Sequence, residues 1–343
     1  GFKQDGSLMA NPPGIETGKE VSTRRQRALD SLLAKLLGTR ELTLIVIILV
    51  TAVLMSVLSP YFFTGANFRA MAIGFSPTAI IVVGMAILLV SGGFDLSVGA
   101  VLALSGTVVG ILMINGFGIL PAILIVFGMG VVIGTINGLL VTKLHINPLI
   151  ATLGTLSAAR GLALVLTDGY SVTGLPRSFG TVGDTALLGV PYIVLIMFFI
   201  VLIGDLALRH SRVLRQVYYI GGNETAARLS GIHVDRVKIF TYILTALLSS
   251  LAGILLASRL MAGTPTAANG LELQVLAAAV IGGASLGGGE GTVLGAFLGV
   301  VFVGMISNAM TMLAVSIYWQ MVITGVILII AVALDMLVRR RSA

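Results

Sequence analysis

Along this chain, apolar runs of about the 20 residues that cross a bilayer as a helix alternate with short polar breaks. Ten such runs can be drawn, at residues 42–59, 68–90, 97–114, 119–141, 147–166, 188–208, 237–257, 271–285, 291–313 and 317–338. The eighth is short and flanked by glycines, so it fits either a half-helix or a complete span. No segment sustains the alternation over roughly ten residues that marks a membrane β-barrel strand. The pattern predicts an all-α polytopic membrane protein with about ten transmembrane helices.

Composition narrows the class further. Of 343 residues, 57% are hydrophobic and only 10% charged, against about 25% charged in soluble globular proteins. The 43 glycines suit membrane helices, which use glycine for close packing. The absence of cysteine excludes disulfide scaffolds and cysteine-ligated zinc. Three histidines and 14 acids argue against a dense metal cluster, and no metal or cofactor is expected on this chain.

The net charge of +7 and pI near 10.0 fit either nucleic-acid binding or cytoplasmic membrane loops; position decides. Lys3, Lys19, Arg24, Arg25, Arg27, Lys35 and Arg40 precede the first run. Lys143 follows the fourth, six basic residues lie between Arg209 and Lys238, and Arg339, Arg340 and Arg341 follow the tenth. With ten spans, these 17 of the 21 lysines and arginines share one side, which the positive-inside rule makes the cytoplasm. Both termini are then cytoplasmic, no nucleic acid is implied, and nine or eleven spans would break the agreement.

The chain thus divides into a cytoplasmic tail, 1–41, a membrane domain, 42–338, with a cytoplasmic loop at 209–236, and a basic tail, 339–343. In the first tail Leu29, Leu32, Leu33, Leu36 and Leu37 recur at helical spacing among basic residues. They fit an amphipathic helix on the inner membrane face or simply the cytoplasmic start of the first span. The first apolar run begins too far in for a usual signal peptide, and Met9 is a candidate native start. No segment outside the membrane is long enough for a soluble catalytic domain.

An internal repeat is visible. Gly93-Phe-Asp95-Leu-Ser-Val98 is similar to Gly270-Leu-Glu272-Leu-Gln-Val275, and Gly134-Thr-Ile-Asn137-Gly138 falls where Gly304-Met-Ile-Ser-Asn308 would match it. An offset of five spans reverses membrane orientation, so the halves read as inverted repeats, with a substrate route at their interface. Chance similarity between glycine-rich helices is the competing explanation.

No catalytic constellation emerges. His145, His210 and His233 have no metal-ligand spacing, and no serine sits in a nucleophile elbow. The phosphate-binding pattern G-x-x-x-x-G-K-[ST] is missing, so ATP used by that route must be bound by another polypeptide. The glycine run at 282–291 reads as a tight turn between closely packed spans; Gly295 and Gly299, like Gly134 and Gly138, offer small-residue faces for helix approach. In the loop at 209–236, Gly222, Asn223, Glu224, Ala226, Ala227, Arg228 and Gly231 outline a short helix. Asn223 can cap it, Glu224 suits the first turn and Gly231 can end it. Such a helix suits docking into a partner's groove or serves as a solvated connector.

Glu224-Thr-Ala-Ala-Arg-Leu-Ser-Gly231 resembles the E-A-A…G coupling signature of ABC importer permeases. Gly92-Gly-Phe-Asp95-Leu-Ser-Val-Gly99 resembles the S-G-G-[IF]-D-L-S-V-G block of the ribose-type sugar permeases. Pro148-Leu-Ile-Ala-Thr-Leu-Gly154, Arg160-Gly161 and Gly270-Leu-Glu272-Leu also fit that family. Thr225 departs from its usual alanine. The resemblance covers about 42–338. It implies a membrane subunit in the bacterial inner membrane, paired with a second copy or close homologue. It further implies ATPase subunits that carry ATP and magnesium, and a periplasmic sugar-binding protein. It leaves open which pentose, hexose or polyol is carried, or whether the solute is autoinducer-2.

A neutral sugar needs polar groups along a narrow path that binds weakly enough to release it. Asp95, Asn137, Thr152, Thr155, Ser157, Arg160, Glu272, Gln274 and Asn308 are the candidates. Each has a structural alternative: Arg160 in an ion pair, Asn137 and Asn308 as interhelical glue, Asp95 and Glu272 at helix starts. Tyr318 and Trp319 read as an interfacial anchor. An ion-coupled transporter or passive polyol channel would need no coupling helix; an ATP-driven importer permease working by alternating access accounts for it.

Overall fold

The computed structural model describes residues 40–184, 186–187 and 189–342; the amphipathic pattern at 29–37 lies outside them. The chain forms α1 (Arg40–Leu58), α2 (Gly65–Val90), α3 (Val98–Ile114), α4 (Ile119–Thr142) and α5 (Pro148–Val165). After these come α6 (Arg177–Asp184) and a hairpin of β1 (Ala186–Leu187) and β2 (Val190–Pro191). Then follow α7 (Tyr192–His210), α8 (Gln216–Gly222), α9 (Glu224–Leu229), α10 (Val234–Leu260), α11 (Leu271–Ile281), α12 (Val293–Met312) and α13 (Ile317–Ser342). Among the described residues, seven helices are long and apolar enough to cross a membrane; α3, α11 and the 317–330 part of α13 are shorter apolar helices. The molecule is an all-α polytopic membrane protein.

The ends of these helices follow from local chemistry. Thr64 caps α2 by accepting from the Asn67 N–H, and Asn147 caps α5 by accepting from Leu149, with Pro148 in the first turn. Thr292 caps α12 through the Gly295 N–H. Each satisfies a donor that a helix start leaves unpaired.

Helices α2 and α10 form the centre. Residues 76–90 of α2 are buried without a break, and Gly84 crosses α10 at Thr245, whose backbone would obstruct any β-carbon there. Gly130, Gly134 and Gly138 of α4 lie on Ser250, Ile243 and Ile239 of α10, and Gly295 and Gly299 of α12 lie on Gly282 and Ala278 of the α11 segment. In lipid, such close backbone approach supplies the packing that hydrophobic burial supplies in water. Leu49, Val53, Val57, Ile150, Phe199 and Leu202 face outward, as lipid-facing side chains do.

Ion pairs bring one set of helix ends together. Glu41 at the start of α1 lies 3.7 Å from Arg209 at the end of α7, and Lys143 after α4 lies 2.6 Å from Asp235 at the start of α10. We call this the charged face. On the opposite face the connection after α5 folds into α6 and the antiparallel hairpin, with Ala186 opposite Pro191 and Leu187 opposite Val190. That hairpin delays the sixth apolar helix to Tyr192, beyond the expected start at 188, because Pro191 caps it with extended backbone. Val172 and Gly263 exchange backbone hydrogen bonds of 2.8 and 2.9 Å on this face.

Two spans are broken. The eighth apolar run contains an 11-residue helix, rising about 16 Å, roughly half the hydrocarbon core. Before it, residues 261–270 are non-helical, with Met261, Ala268 and Gly270 at positive φ. Before helix α3, its counterpart by sequence, the non-helical residues Gly93 and Phe94 lie at the hydroxyl of Tyr242, which stands about 12 Å along α10 from its first residue. The last helix runs on to Ser342 rather than ending at 338, since arginine extends a helix readily.

Candidate translocation and coupling site

Helix α9 begins where expected. Asn223 has extended backbone and its Oδ1 accepts from the Ala226 N–H at 2.9 Å. Gly231 follows the helix at φ 84°. Ala227 is buried, while Ala226 is exposed and Leu229 is 85% exposed. The charged residues form a continuous chain. Lys238 donates to Glu224 at 2.6 Å, Arg228 donates to Glu224 at 2.9 Å and to Asp235 at 2.7 Å, and Lys143 donates to Asp235 at 2.6 Å. Helix α9 is thus tied to α10 and to the turn after α4. Burial alone would raise the Glu224 carboxyl, but hydrogen bonds from Lys238 and Arg228 outweigh it and hold the group below its ordinary value.

Behind α9, three glycine-rich turns meet backbone to backbone. Gly289 donates its N–H to the Val90 carbonyl at 2.9 Å. A β-carbon on Gly221 would collide with that same carbonyl and with the Gly289 nitrogen. One on Gly288 would lie 3.0 Å from the Gly92 Cα. Gly222, singled out by sequence, has open space, whereas Gly221 was not singled out. The signal for the junction was the recurrence of glycine doublets at 92–93, 221–222, 282–283 and 287–289.

Above this junction the structure gathers Asp95, Asn137 and Thr155. Asp95 Oδ1 accepts from the N–H and hydroxyl of Ser97 at 2.7 and 2.6 Å, which caps α3 from outside. The Asn137 amide donates to Asp95 Oδ2 at 3.2 Å and to Ser97 Oγ at 3.1 Å, and accepts from the Thr155 hydroxyl. Asp95, Ser97 and Asn137 are buried, so each requires these partners. Glu272, the sequence counterpart of Asp95, is different. Its Oε2 is buried without a hydrogen-bond partner among the described residues and lies against Gly99 in the first turn of α3. Among the described residues Arg160 pairs with no acid; its Nη1 donates to the carbonyls of Pro265 and Ala267 at 2.9 and 2.6 Å.

Gln274 and Asn308 line one cavity of about 280 Å³ between α2, α11 and α12, with Thr78, Ser307 and Thr311 as further polar walls. Asn308 exchanges hydrogen bonds with Asn67 at 3.2 and 2.8 Å, a pairing the sequence did not reveal. Thr152 is buried and returns its hydroxyl to the Pro148 carbonyl. Ser157 is exposed on α5 and joins none of these groups.

Residues 67–332 match the family described as "Branched-chain amino acid transport system / permease component". The chain is 40% identical to the ribose import permease protein RbsC of Bacillus subtilis over 296 residues, 86% of this chain and 91% of that protein. It is also 40% identical to RbsC of Escherichia coli K12, over 85% and 92% of the two chains. To the L-arabinose transport system permease protein AraH of E. coli K12 it is 36% identical, over 85% and 89%. No solved structure matches the chain.

Proposed function

This chain belongs to the ribose-type permease family of ABC importers, and we propose that it forms half of the membrane path for a pentose. The family description names branched-chain amino acids, but the relatives named for ribose and arabinose match over more than four-fifths of both chains. The cavity is largely apolar, with Thr78, Gln274, Ser307, Asn308 and Thr311 as uncharged polar groups that suit sugar hydroxyls; it offers no charge to pair an amino acid's ammonium or carboxylate.

In this reading a second copy or close homologue completes the path, and a periplasmic binding protein delivers sugar on the opposite face. The charged face is cytoplasmic, with both termini there, in the inner membrane. ATPase subunits carrying ATP and magnesium engage α9, whose exposed Leu229 and tethered charges suit a partner's groove. Ten crossings and two inverted five-span repeats are part of the same proposal. Gly134 of α4 packing on α10, and Gly304 of α12 packing on Phe75 of α2, support the repeats, since α2 and α10 stand five spans apart.

The observation that carries the proposal is α9 itself, a capped, exposed helix tied by ion pairs to α10 and, through Asp235, to Lys143 in the turn after α4. The test is ATP-dependent uptake of radiolabelled D-ribose or L-arabinose into proteoliposomes holding the complex with its ATPase and binding protein. Accumulation of either sugar that stops without ATP is expected. Transport of neither, with transport of a branched-chain amino acid instead, overturns the sugar reading.

A further inference from the structure

The two broken spans meet end to end. The first turns of α3 and α11 touch: a β-carbon on Gly99 would strike Glu272 Oε2 and lie 2.7 Å from the Ala268 carbonyl oxygen. Residues 261–270 reach this point with three residues at positive φ, two of them not glycine, a conformation side chains disfavour. Irregular backbone at such depth needs donors for its carbonyls, and Arg160 supplies them, spending one nitrogen on both Pro265 and Ala267. Glu272 keeps a buried oxygen with no donor, whereas its counterpart Asp95 is fully engaged.

A buried carboxylate oxygen with no partner is costly and calls for an explanation. The Arg160 guanidinium, held on the Pro265 and Ala267 carbonyls next to the Ala268 carbonyl that borders Gly99 together with Glu272, has further N–H groups in a fixed fork. We infer that Arg160 and Glu272 form a latch for the transport cycle. In the state described here Arg160 clamps residues 265–267 and the path is shut at the α3–α11 junction. When the segment moves, Arg160 leaves the two carbonyls and takes Glu272 as its acceptor, which compensates the lost hydrogen bonds and holds the open state. Both are positioning residues. Gly99 is required because only a residue without a side chain admits the Glu272 carboxylate to the first turn of α3.

The inference rests on the transporter reading, and the experiment separates the two. The complex is reconstituted with its ATPase and binding protein as wild type, Glu272→Gln, Arg160→Lys and Arg160→Ala. Uptake of D-ribose or L-arabinose, ATP hydrolysis, thermal midpoint and efflux of preloaded sugar without ATP are measured. Glu272→Gln keeps the shape but removes the charged acceptor. It is expected to lower uptake at least tenfold while the thermal midpoint and basal hydrolysis stay near wild type. Arg160→Ala is expected to leak preloaded sugar without ATP, and Arg160→Lys to leak less while still assembling. A purely structural role would lower the thermal midpoint of all three variants together and produce no leak. Wild-type uptake by Glu272→Gln, or tight vesicles from both Arg160 variants, overturns the latch. Failure of the wild-type complex to move either sugar overturns the pentose reading instead.

Discussion

At the scale of single residues, neighbouring positions in the same motif have opposite tolerances. A β-carbon at Gly221 meets the Val90 carbonyl and the Gly289 nitrogen, both backbone atoms that cannot rotate away; at Gly222 it meets nothing within 4 Å. Gly221→Ala is therefore expected to lower the thermal midpoint of the detergent-solubilised protein, at about 1–3 kcal/mol for overpacking. Gly222→Ala should stay within about 0.5 kcal/mol. Equal effects of the two, measured by thermal shift, would sink the backbone-junction account. Asn137 gives a second case. Asn137→Ala removes the donor to both Asp95 Oδ2 and Ser97 and strands a buried carboxylate oxygen, so a loss of roughly 1–3 kcal/mol or more is expected in the same measurement. The sequence marked Asn137 and Asp95 separately as polar residues in apolar runs. It did not show that they meet, because they stand 42 positions apart with α3 and a turn between them. Arg160 was legible as costly, but its partners were not: backbone carbonyls carry no residue identity from which to read them.

At the scale of elements, α9 was legible nearly to the residue, because Asn223, Glu224 and Gly231 are local signals for a helix start and stop. Its anchoring was not, since Lys143, Asp235 and Lys238 come from other elements. These ion pairs predict a definite pH response. Bonds from Lys238 and Arg228 hold the Glu224 carboxyl below its ordinary value. A depressed carboxylate stabilises the folded state above its unfolded pKa and loses that contribution only as pH falls through the lower, folded value. Hydrogen-exchange protection of α9 is thus expected to be flat from pH 8 to about 5 and to fall below about pH 4. Loss of protection already at pH 6 would contradict the pairing. Glu224 is half-exposed, so the pair with Lys238 contributes at the modest scale of surface pairs, about 0.2–1 kcal/mol. Glu224→Lys should reduce protection of α9, and adding Lys238→Glu should restore it.

At the scale of the whole molecule, the question is whether a chain with an 11-residue eighth helix still crosses at that point. Hydropathy found the apolar run, and its shortness and flanking glycines left a half-helix and a complete span both open, because an apolar run does not report where inside it the helix begins. The structure supplies the path. Gly263 pairs with Val172 on the opposite face, and Gly291 accepts from Tyr218 while Thr292 donates to Glu41 on the charged face. Between them lie the turns of residues 264–270 and α11, which rises about 16 Å, roughly half of the hydrocarbon core. The ten crossings proposed above require the chain to change sides here. The absence of cysteine makes this directly measurable with single-cysteine variants and a membrane-impermeant maleimide on spheroplasts. Tyr170→Cys and Ser316→Cys are expected to label in intact spheroplasts, and Leu144→Cys and Ser230→Cys only after permeabilisation. The decisive site is Ser316, in the turn between α12 and α13. If residues 261–281 merely dipped into the membrane and returned, Ser316 would share a side with Ser230 and stay unlabelled while Tyr170 reacted. Such a result would remove both the tenth crossing and the inverted symmetry that pairs α3 with α11.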